Sequence, residues 1–165
     1  MTSAAEMVLG TERKWDLHIS ELQGTPDTWG TQLEEKLKSQ PVFALLSGVS
    51  NTTWEPVHSF CESNRIPCWF PSVALPVTND SFYSLYFSRG VNLEADVLAN
   101  RLMGTGKPKR VVQIRRNDPV STEAAKRLGD SLAKAGIAME DQVVNEGAAI
   151  SPQSLGELTA EDAVV

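Results

Sequence analysis

The stretch from Val42 to Pro71, VFALLSGVSNTTWEPVHSFCESNRIPCWFP, constrains the fold of this chain more than any other. It begins with Val42–Leu46, a short apolar run of the kind that forms a strand buried on both faces. Small polar residues follow, and Pro56 then stands where the first helical turn tolerates a missing N–H. Cys68–Phe70 completes the stretch as a second strand. The pattern therefore predicts a right-handed β-α-β crossover in a parallel sheet.

The sequence on both sides of this stretch continues the alternation of strands and helices. Apolar or alternating runs predict strands, and apolar residues at helical spacing predict amphipathic helices. The predicted strands are Trp15–Ile19, Phe82–Ser88, Arg110–Ile114, Ile137–Val144 and the opening residues Asp162–Val165 of another. The predicted helices are Trp29–Lys38, Asn92–Met103, Ser121–Ala135 and a short one over Ser151–Leu158. We expect an α/β fold, a Rossmann-like three-layer sandwich with a mainly parallel sheet.

Charge and composition exclude several classes of function. The chain of 165 residues has 15 Lys and Arg against 21 Asp and Glu, a net charge of −6. It therefore lacks the basic excess of a general nucleic-acid binder or a polybasic membrane anchor. No apolar run approaches the roughly 20 residues that a membrane-spanning helix needs. No signal peptide is visible in Met1–Gly10.

Motifs that would indicate an enzyme or a metal site are missing. The sequence contains no G-x-S-x-G elbow, no HExxH and no closely spaced His and Cys ligands. His58 stands three residues before Cys61, a spacing that we interpret as a buried neighbour pair rather than a catalytic dyad. Zinc binding by these two and Cys68 would lack a nearby fourth ligand. We expect no catalytic residue, no metal and no cofactor.

The two cysteines, Cys61 and Cys68, leave two interpretations open. Six residues separate them, and the chain reverses between the predicted helix and the strand that follows, so a short disulfide is compatible with the spacing. Such a bond would imply an oxidising compartment. The alternative is a pair of buried free thiols that pack as small hydrophobic groups.

Polar residues follow two neighbouring predicted strands. Ser50, Asn51, Thr52 and Thr53 come after the first strand, and Ser72 comes just after the second, at the start of a predicted loop. Ligands of open α/β sheets bind beyond the carboxyl ends of the strands. Hydroxyls and free helix N–H groups at this position suit a carboxylate or another anion. The alternative is that these residues only cap the helix.

The segment LLSGVSNTTWEPVHSFCESNRIPCWFPSVA, followed by LYFSRGVNLEADVLANRL and KPKRVVQIRRNDPVSTEAAKRLGDSLAKAGI, resembles the type I periplasmic binding proteins. The likeness is to the leucine/isoleucine/valine-binding family of solute receptors in particular. It lies in the order of a strand ending in Gly and a Ser/Thr turn, a helix, and a strand opening with Ile-Pro. A helix, a Val-rich strand, an Asp-containing turn and a helix ending in Ala-Gly follow. The resemblance covers roughly Trp15 to Val144.

This resemblance implies a fragment of a two-lobe fold, with the ligand held in a cleft between the lobes. Residues 1–88 would form part of the first lobe, and residues 89–165 would form the truncated start of the second. The Ser/Thr turn, residues 50–53, would hold a ligand carboxylate. Ser72, Val73 and Ala74 would contact a ligand amine. Asn117 and Asp118 stand in the second-lobe turn where the family often has a Tyr-Gly pair.

The resemblance also implies a function. We expect the solute-binding component of an ABC-type uptake system, which binds an amino acid or a related small carboxylate or amide. A membrane permease would be its partner, and its location would be periplasmic. A ligand-sensing or regulatory domain with a signalling partner, and an interaction module without ligand, remain as alternatives.

The apolar run Ala163–Val165 ends the sequence without a closing turn. Natural domains rarely end inside a core strand, so we expect the chain to be a piece of a longer protein. Unpaired sheet edges recruit strands from other chains, and we therefore expect the fragment to form a homodimer, either by edge pairing or by exchange of the C-terminal half across the segment Ser88–Asn92.

Overall fold

A computed structural model of the chain describes residues 16–78, 81–104, 106–145, 147–149 and 155–165. Its helices are the 3-10 helix Pro26–Thr28, α1 (Trp29–Ser39), α2 (Glu55–Asn64), α3 (Val91–Gly104) and α4 (Pro119–Lys134). Its strands are β1 (Leu45–Leu46), β2 (Val49–Thr53), β3 (Cys68–Trp69), β4 (Ser72–Leu75), β5 (Ser84–Leu85), β6 (Arg110–Arg116), β7 (Ala138–Val144) and β8 (Asp162–Val164). The described strands pair in the orders β1-β3-β5, β2-β4 and β7-β6-β8, and each of these pairings is parallel. The expected α/β fold with a mainly parallel sheet is confirmed.

Strands β1 and β3 break at the same level and resume as β2 and β4. Ser47 and Phe70 mark the two breaks with φ values of 52° and 59°, the left-handed conformation. The pairing crosses the break, because Ser47 donates its amide to Trp69 O at 2.9 Å and Ser72 donates to Gly48 O at 2.7 Å. The two chain segments therefore remain hydrogen-bonded neighbours through a shared kink.

This kink corrects two predictions. The polar residues that composition assigned to a turn form strand β2, and the predicted loop that starts at Pro71 contains strand β4. Parallel pairing between the two segments satisfies their backbone groups, and it outweighs the local preference of Ser, Asn and Thr for turns. The predicted apolar strand Val42–Leu46 is correspondingly reduced to its last two residues.

Helices α1 and α2 cover one face of the first sheet and enclose a hydrophobic core. The buried members of this core are Leu33, Trp54, Val57, Phe60, Cys61, Ile66, Cys68 and Val73. Helix α2 begins with Pro56 in its first turn, as predicted. It ends at Arg65, whose φ of 57° closes the helix while its amide reaches back to Glu62 O.

A second core lies in the C-terminal half, where α3 and α4 pack together beside β6 and β7. Its buried members are Ala95, Ala99, Val111, Leu128, Leu132 and Ile137. Strand β6 is the centre of this sheet, paired over its full length with β7 and at its start with β8. The predicted opening residues of a last strand are therefore confirmed in β8.

The N-terminal strand prediction is wrong for the residues that the structure describes. Residues 16–19 of the predicted strand Trp15–Ile19 have no regular structure, and Ile19 is 96% exposed. An alternating pattern needs a neighbouring strand to pair with, and none lies beside this segment in the described ranges. Strand Phe82–Ser88 likewise contracts to β5. The first half of the helix predicted for Ser151–Leu158, residues 151–154, lies outside the described residues, and residues 155–158 form no α-helix.

Candidate functional site

A groove of about 370 Å³ lies beyond the carboxyl ends of β1, β3 and β5, where the kinked strands continue as β2 and β4. Three chain segments line it. They contribute Val49, Ser50 and Asn51; Pro71, Ser72, Val73 and Ala74; and Phe87, Ser88, Gly90, Val91 and Glu94. The position beyond the carboxyl ends of parallel strands is where α/β sheets bind ligands.

The structure brings together most of the residues that the sequence predicted for a first-lobe site. Ser50, Asn51, Ser72, Val73 and Ala74 all line the groove. Pairing of β2 with β4 explains the arrangement, since Ser50 is the register partner of Val73. The two predicted segments therefore lie side by side in the lining of one groove, although 21 residues separate Ser50 from Ser72 in the chain.

Thr52 and Thr53 lie outside this groove. The amide of Thr52 donates to Ser50 Oγ at 3.2 Å, and Thr53 Oγ1 accepts from the amide of Glu55 at 3.2 Å. Glu55 is the first residue of α2, so Thr53 satisfies one of the amides that a helix start leaves without a partner. The capping interpretation holds for Thr53.

Asn117 and Asp118 are also absent from the groove, because they follow β6 of the other sheet. The Asp118 carboxylate accepts from the amide and the hydroxyl of Ser121 at 2.9 Å and 2.6 Å. These hydrogen bonds, first that of the hydroxyl, lower the pKa of Asp118. Asp118 is thus the N-cap of α4, and this role occupies both of its carboxylate oxygens.

Sequence reasoning missed the third wall of the groove, from Phe87 to Glu94. Gly90 has a φ of 55°, and a Cβ on it would stand 2.2 Å from Ala74 O and 2.8 Å from Val73 O. Ser88 Oγ accepts from the Gly90 amide at 3.1 Å. The sequence feature that could have indicated this wall is the glycine of Ser-Arg-Gly, just before a predicted helix. Only glycine lets the backbone come so close to β4.

A second groove, of about 610 Å³, lies between α3 and α4. Its wall includes Asp96, which Arg127 and Arg89 hold at 2.8 Å and 3.0 Å. The hydrogen bond from Arg127 is the main cause that lowers the pKa of Asp96. The ion pairs join α3 to α4 and to the segment before α3, which is a structural role.

The cysteines lie in the first core as two free thiols, with Cys61 fully buried and Cys68 2% exposed. The thiols are side by side, and the hydrogen bond with Cys68, together with burial, raises the pKa of Cys61. The structure therefore shows the free-thiol alternative in place of the disulfide. Because the two thiols are adjacent, a disulfide between Cys61 and Cys68 under oxidising conditions stays a prediction.

His58 also belongs to this core. Its Nδ1 lies 3.0 Å from the hydroxyl of Tyr86, and the two rings stack with centroids 6.0 Å apart. Burial raises the pKa of Tyr86 to about 12, so this hydroxyl stays protonated. Among the described residues, no group of three His, Cys, Asp or Glu side chains is placed to hold a metal ion.

None of the helices in the described ranges is both long and apolar enough to cross a membrane. The chain combines an α/β fold with a groove beyond its strand ends, the position at which open α/β sheets bind ligands. Residues 2–155 match the family model described as periplasmic binding protein, and the chain belongs to this family. A search of curated proteins found no match.

Solved structures of longer substrate-binding and solute-binding proteins share the fold. An ABC transporter substrate-binding protein from Sphaerobacter thermophilus is 17% identical with a TM-score of 0.69, over 85% of this chain and 39% of that one. A second, from Desulfitobacterium hafniense in complex with Leu, is 16% identical with a TM-score of 0.57, over 72% and 36%. An R. palustris solute binding protein in complex with benzoate is 13% identical with a TM-score of 0.60, over 79% and 37%. The chain therefore spans between 36% and 39% of the length of these three proteins.

Proposed function

We propose that this chain carries the first-lobe part of the ligand site of a solute-binding component of an ABC-type uptake system. The ligand would be an amino acid or a related small carboxylate or amide, bound without chemical change. The partner would be a membrane permease, and the location would be the periplasm. Membership of the periplasmic binding protein family and the substrate-binding neighbours support this proposal.

One observation carries the proposal most directly. Ser50, Asn51 and Ser72, whose side chains carry hydroxyl and amide groups, line a single groove together with Val73 and Ala74. Hydroxyls and amides can donate hydrogen bonds to a carboxylate and accept them from an amine, and an amino-acid ligand carries both groups. The groove volume of about 370 Å³ also falls in the range of small-molecule sites.

Two lobes that close on a ligand would cover the open side of this groove. The two hydrophobic cores separate along the chain, one with buried residues up to Val73 and the other from Ala95 onward. We place the boundary between residues 88 and 89, and the hinge at Ser88–Asn92, which borders the groove. Hinge closure around a ligand is a common motion of two-lobe binding proteins.

A ligand-sensing domain of the same fold is the second candidate, and it would share the groove and its ligand chemistry. The permease or the signalling partner of the whole protein distinguishes the two. An interaction module without ligand is the third candidate, and it requires that the groove bind nothing.

Amide chemical shifts of the ¹⁵N-labelled 165-residue chain test the proposal. Titration with L-leucine, other amino acids, amides and benzoate should shift the amide signals of Ser50, Ser72 and Gly90 in a saturable way. NMR detects the millimolar affinities that half of a two-lobe site would give. If no compound of this panel shifts these signals, the interaction module becomes the better interpretation.

A further inference from the structure

The charge in the groove is carried by one residue. Among the side chains that line the groove, Glu94 is the one that bears a charge. Its carboxylate has no hydrogen-bond or ion-pair partner in the described part of the chain, whereas neighbouring Asp96 is held by two arginines. Glu94 is an acidic residue, so an unpaired negative charge lines the groove.

The nearest cation in the sequence does not neutralise this charge. Arg89 precedes Glu94 by five residues, but its guanidinium pairs with Asp96 at 3.0 Å and lines the groove between α3 and α4 instead. The other polar groups of the groove, on Ser50, Asn51, Ser72 and Ser88, are neutral. Neutral hydroxyls and amides can form hydrogen bonds with either a cationic or an anionic ligand. Glu94 is therefore the residue that would distinguish ligands by their charge.

An aromatic side chain adds to this preference. Phe87 lines the same groove and is 84% exposed, so its ring is open to a ligand. The face of an aromatic ring attracts an ammonium group and also packs against aliphatic carbons. A carboxylate beside an open ring suits an amine that carries a short apolar chain.

We infer that Glu94 makes this groove selective for small ligands with a cationic amine, and that it disfavours carboxylates that lack one. The inference rests on the proposed function and narrows its ligand class. An amino acid meets the requirement because its ammonium faces Glu94 and its carboxylate reaches the hydroxyls across the groove. A ligand such as benzoate, which a relative from R. palustris holds in its structure, does not meet it.

A matched set of probes separates the amine from the carboxylate. L-leucine carries both groups, 3-methylbutylamine is leucine without the carboxylate, and 4-methylpentanoate is leucine without the amine. We expect leucine and the amine to shift the amide signals of Ser72 and Gly90 in the ¹⁵N-labelled chain. The acid should bind more weakly than the amine by about two- to fivefold, the scale of an exposed ion pair. Added salt should reduce this difference.

Substitution of Glu94 tests its role against a purely structural one. Glu94→Gln should weaken binding of the amine by about two- to fivefold. The same substitution should leave the affinity for the acid unchanged or increase it. Glu94→Lys should reverse the order of affinities, so that the acid binds more tightly than the amine. Glu35→Gln removes the same charge from the exposed surface of α1 and should change neither affinity. The dispersion of the amide spectrum reports in the same samples that each variant is folded.

The outcomes separate the inference from the proposed function. If the acid binds the wild-type chain as tightly as the amine, or if Glu94→Gln leaves their ratio unchanged, the selectivity inference is overturned while the binding site stands. If none of the three probes shifts the groove amides, both the inference and the proposed leucine-like ligand class are overturned.

Discussion

The backbone of Gly90 lies so close to strand β4 that a Cβ on it would stand 2.2 Å from the carbonyl oxygen of Ala74. This close approach positions the third wall of the groove, because Phe87 lies three residues before Gly90 and Glu94 lies four residues after it. The position of these groove-lining side chains thus depends on one residue without a side chain.

Gly90→Ala should destabilise the chain by about 2 kcal/mol or more, because the new methyl group meets backbone atoms and φ is 55°. Urea unfolding measures the loss. Gly30→Ala is the matched control, since Gly30 lies in α1 with no atom within 4 Å of the new methyl group. That control should be neutral or slightly stabilising. Equal effects of the two substitutions would contradict the close approach.

The predicted ligand turn divides into residues that line the groove and residues that do not. Asn51→Ala and Ser72→Ala should weaken the ligand-dependent amide shifts several-fold, since each removes a polar group from the groove wall. Thr52→Val should leave them unchanged, because Thr52 lies outside the groove. A loss of binding in Thr52→Val with none in Ser72→Ala would place the ligand elsewhere.

Asp162 ties strand β8 to β6 through Arg110, with its Oδ2 at 2.9 Å from Nη2. The hydrogen bond from Arg110 lowers the pKa of Asp162 from 3.8 to about 2. A lowered folded-state pKa contributes stability that is complete above about pH 5 and is lost as the pH falls through the folded-state pKa toward about pH 1. The urea midpoint should therefore fall over this window, and it should fall less in Asp162→Asn. The exposed Asp27→Asn should keep the wild-type slope.

The adjacent thiols predict a disulfide when the protein meets an oxidant. Exposure to glutathione disulfide should join Cys61 to Cys68 and stabilise the fold by about 2–3 kcal/mol, because the short loop is closed in the unfolded state as well. Thiol titration of the denatured, unreduced protein should then find none free. Urea unfolding of a Cys61→Ala, Cys68→Ala variant should not respond to the oxidant. Two reactive thiols in the oxidised sample would contradict the prediction.

The face of the first sheet opposite to α1 and α2 is apolar and open. Leu46, Trp69 and Leu85 are side-by-side register partners on it, and Phe43 packs edge-on against Trp69 at 6.3 Å. Phe43 is 76% exposed and Leu85 53%. We expect a second copy of the chain to cover this face, since contiguous exposed apolar surface drives association.

Light scattering coupled to size exclusion at several concentrations should show a mass above 18.0 kDa. A Phe43→Ser, Leu85→Lys variant should return to the monomer, whereas Ile19→Ser, which removes a still more exposed apolar residue elsewhere, should not. A wild-type monomer at all concentrations would contradict the predicted homodimer.

The sequence alone determined the elements whose pattern is local. The spacing of Leu33 and Leu37 specified α1, Pro56 placed the start of α2, and the apolar run before Arg115 specified β6. Each of these signals lies within one element, where helical or strand periodicity and capping chemistry suffice. The α/β class and the family resemblance followed from the order of these elements.

Only the tertiary structure decided which polar residues meet. Ser50 and Ser72 share a groove with Glu94, whereas Thr53 and Asp118, equally promising in sequence, cap helices. Residues with a preference for turns became strand β2, because pairing with β4 satisfied their backbone groups. Local propensity is worth a few tenths of a kcal/mol per residue, less than a strand pairing that continues through a shared kink. Such long-range pairings leave no mark in the local sequence, and they fixed the site.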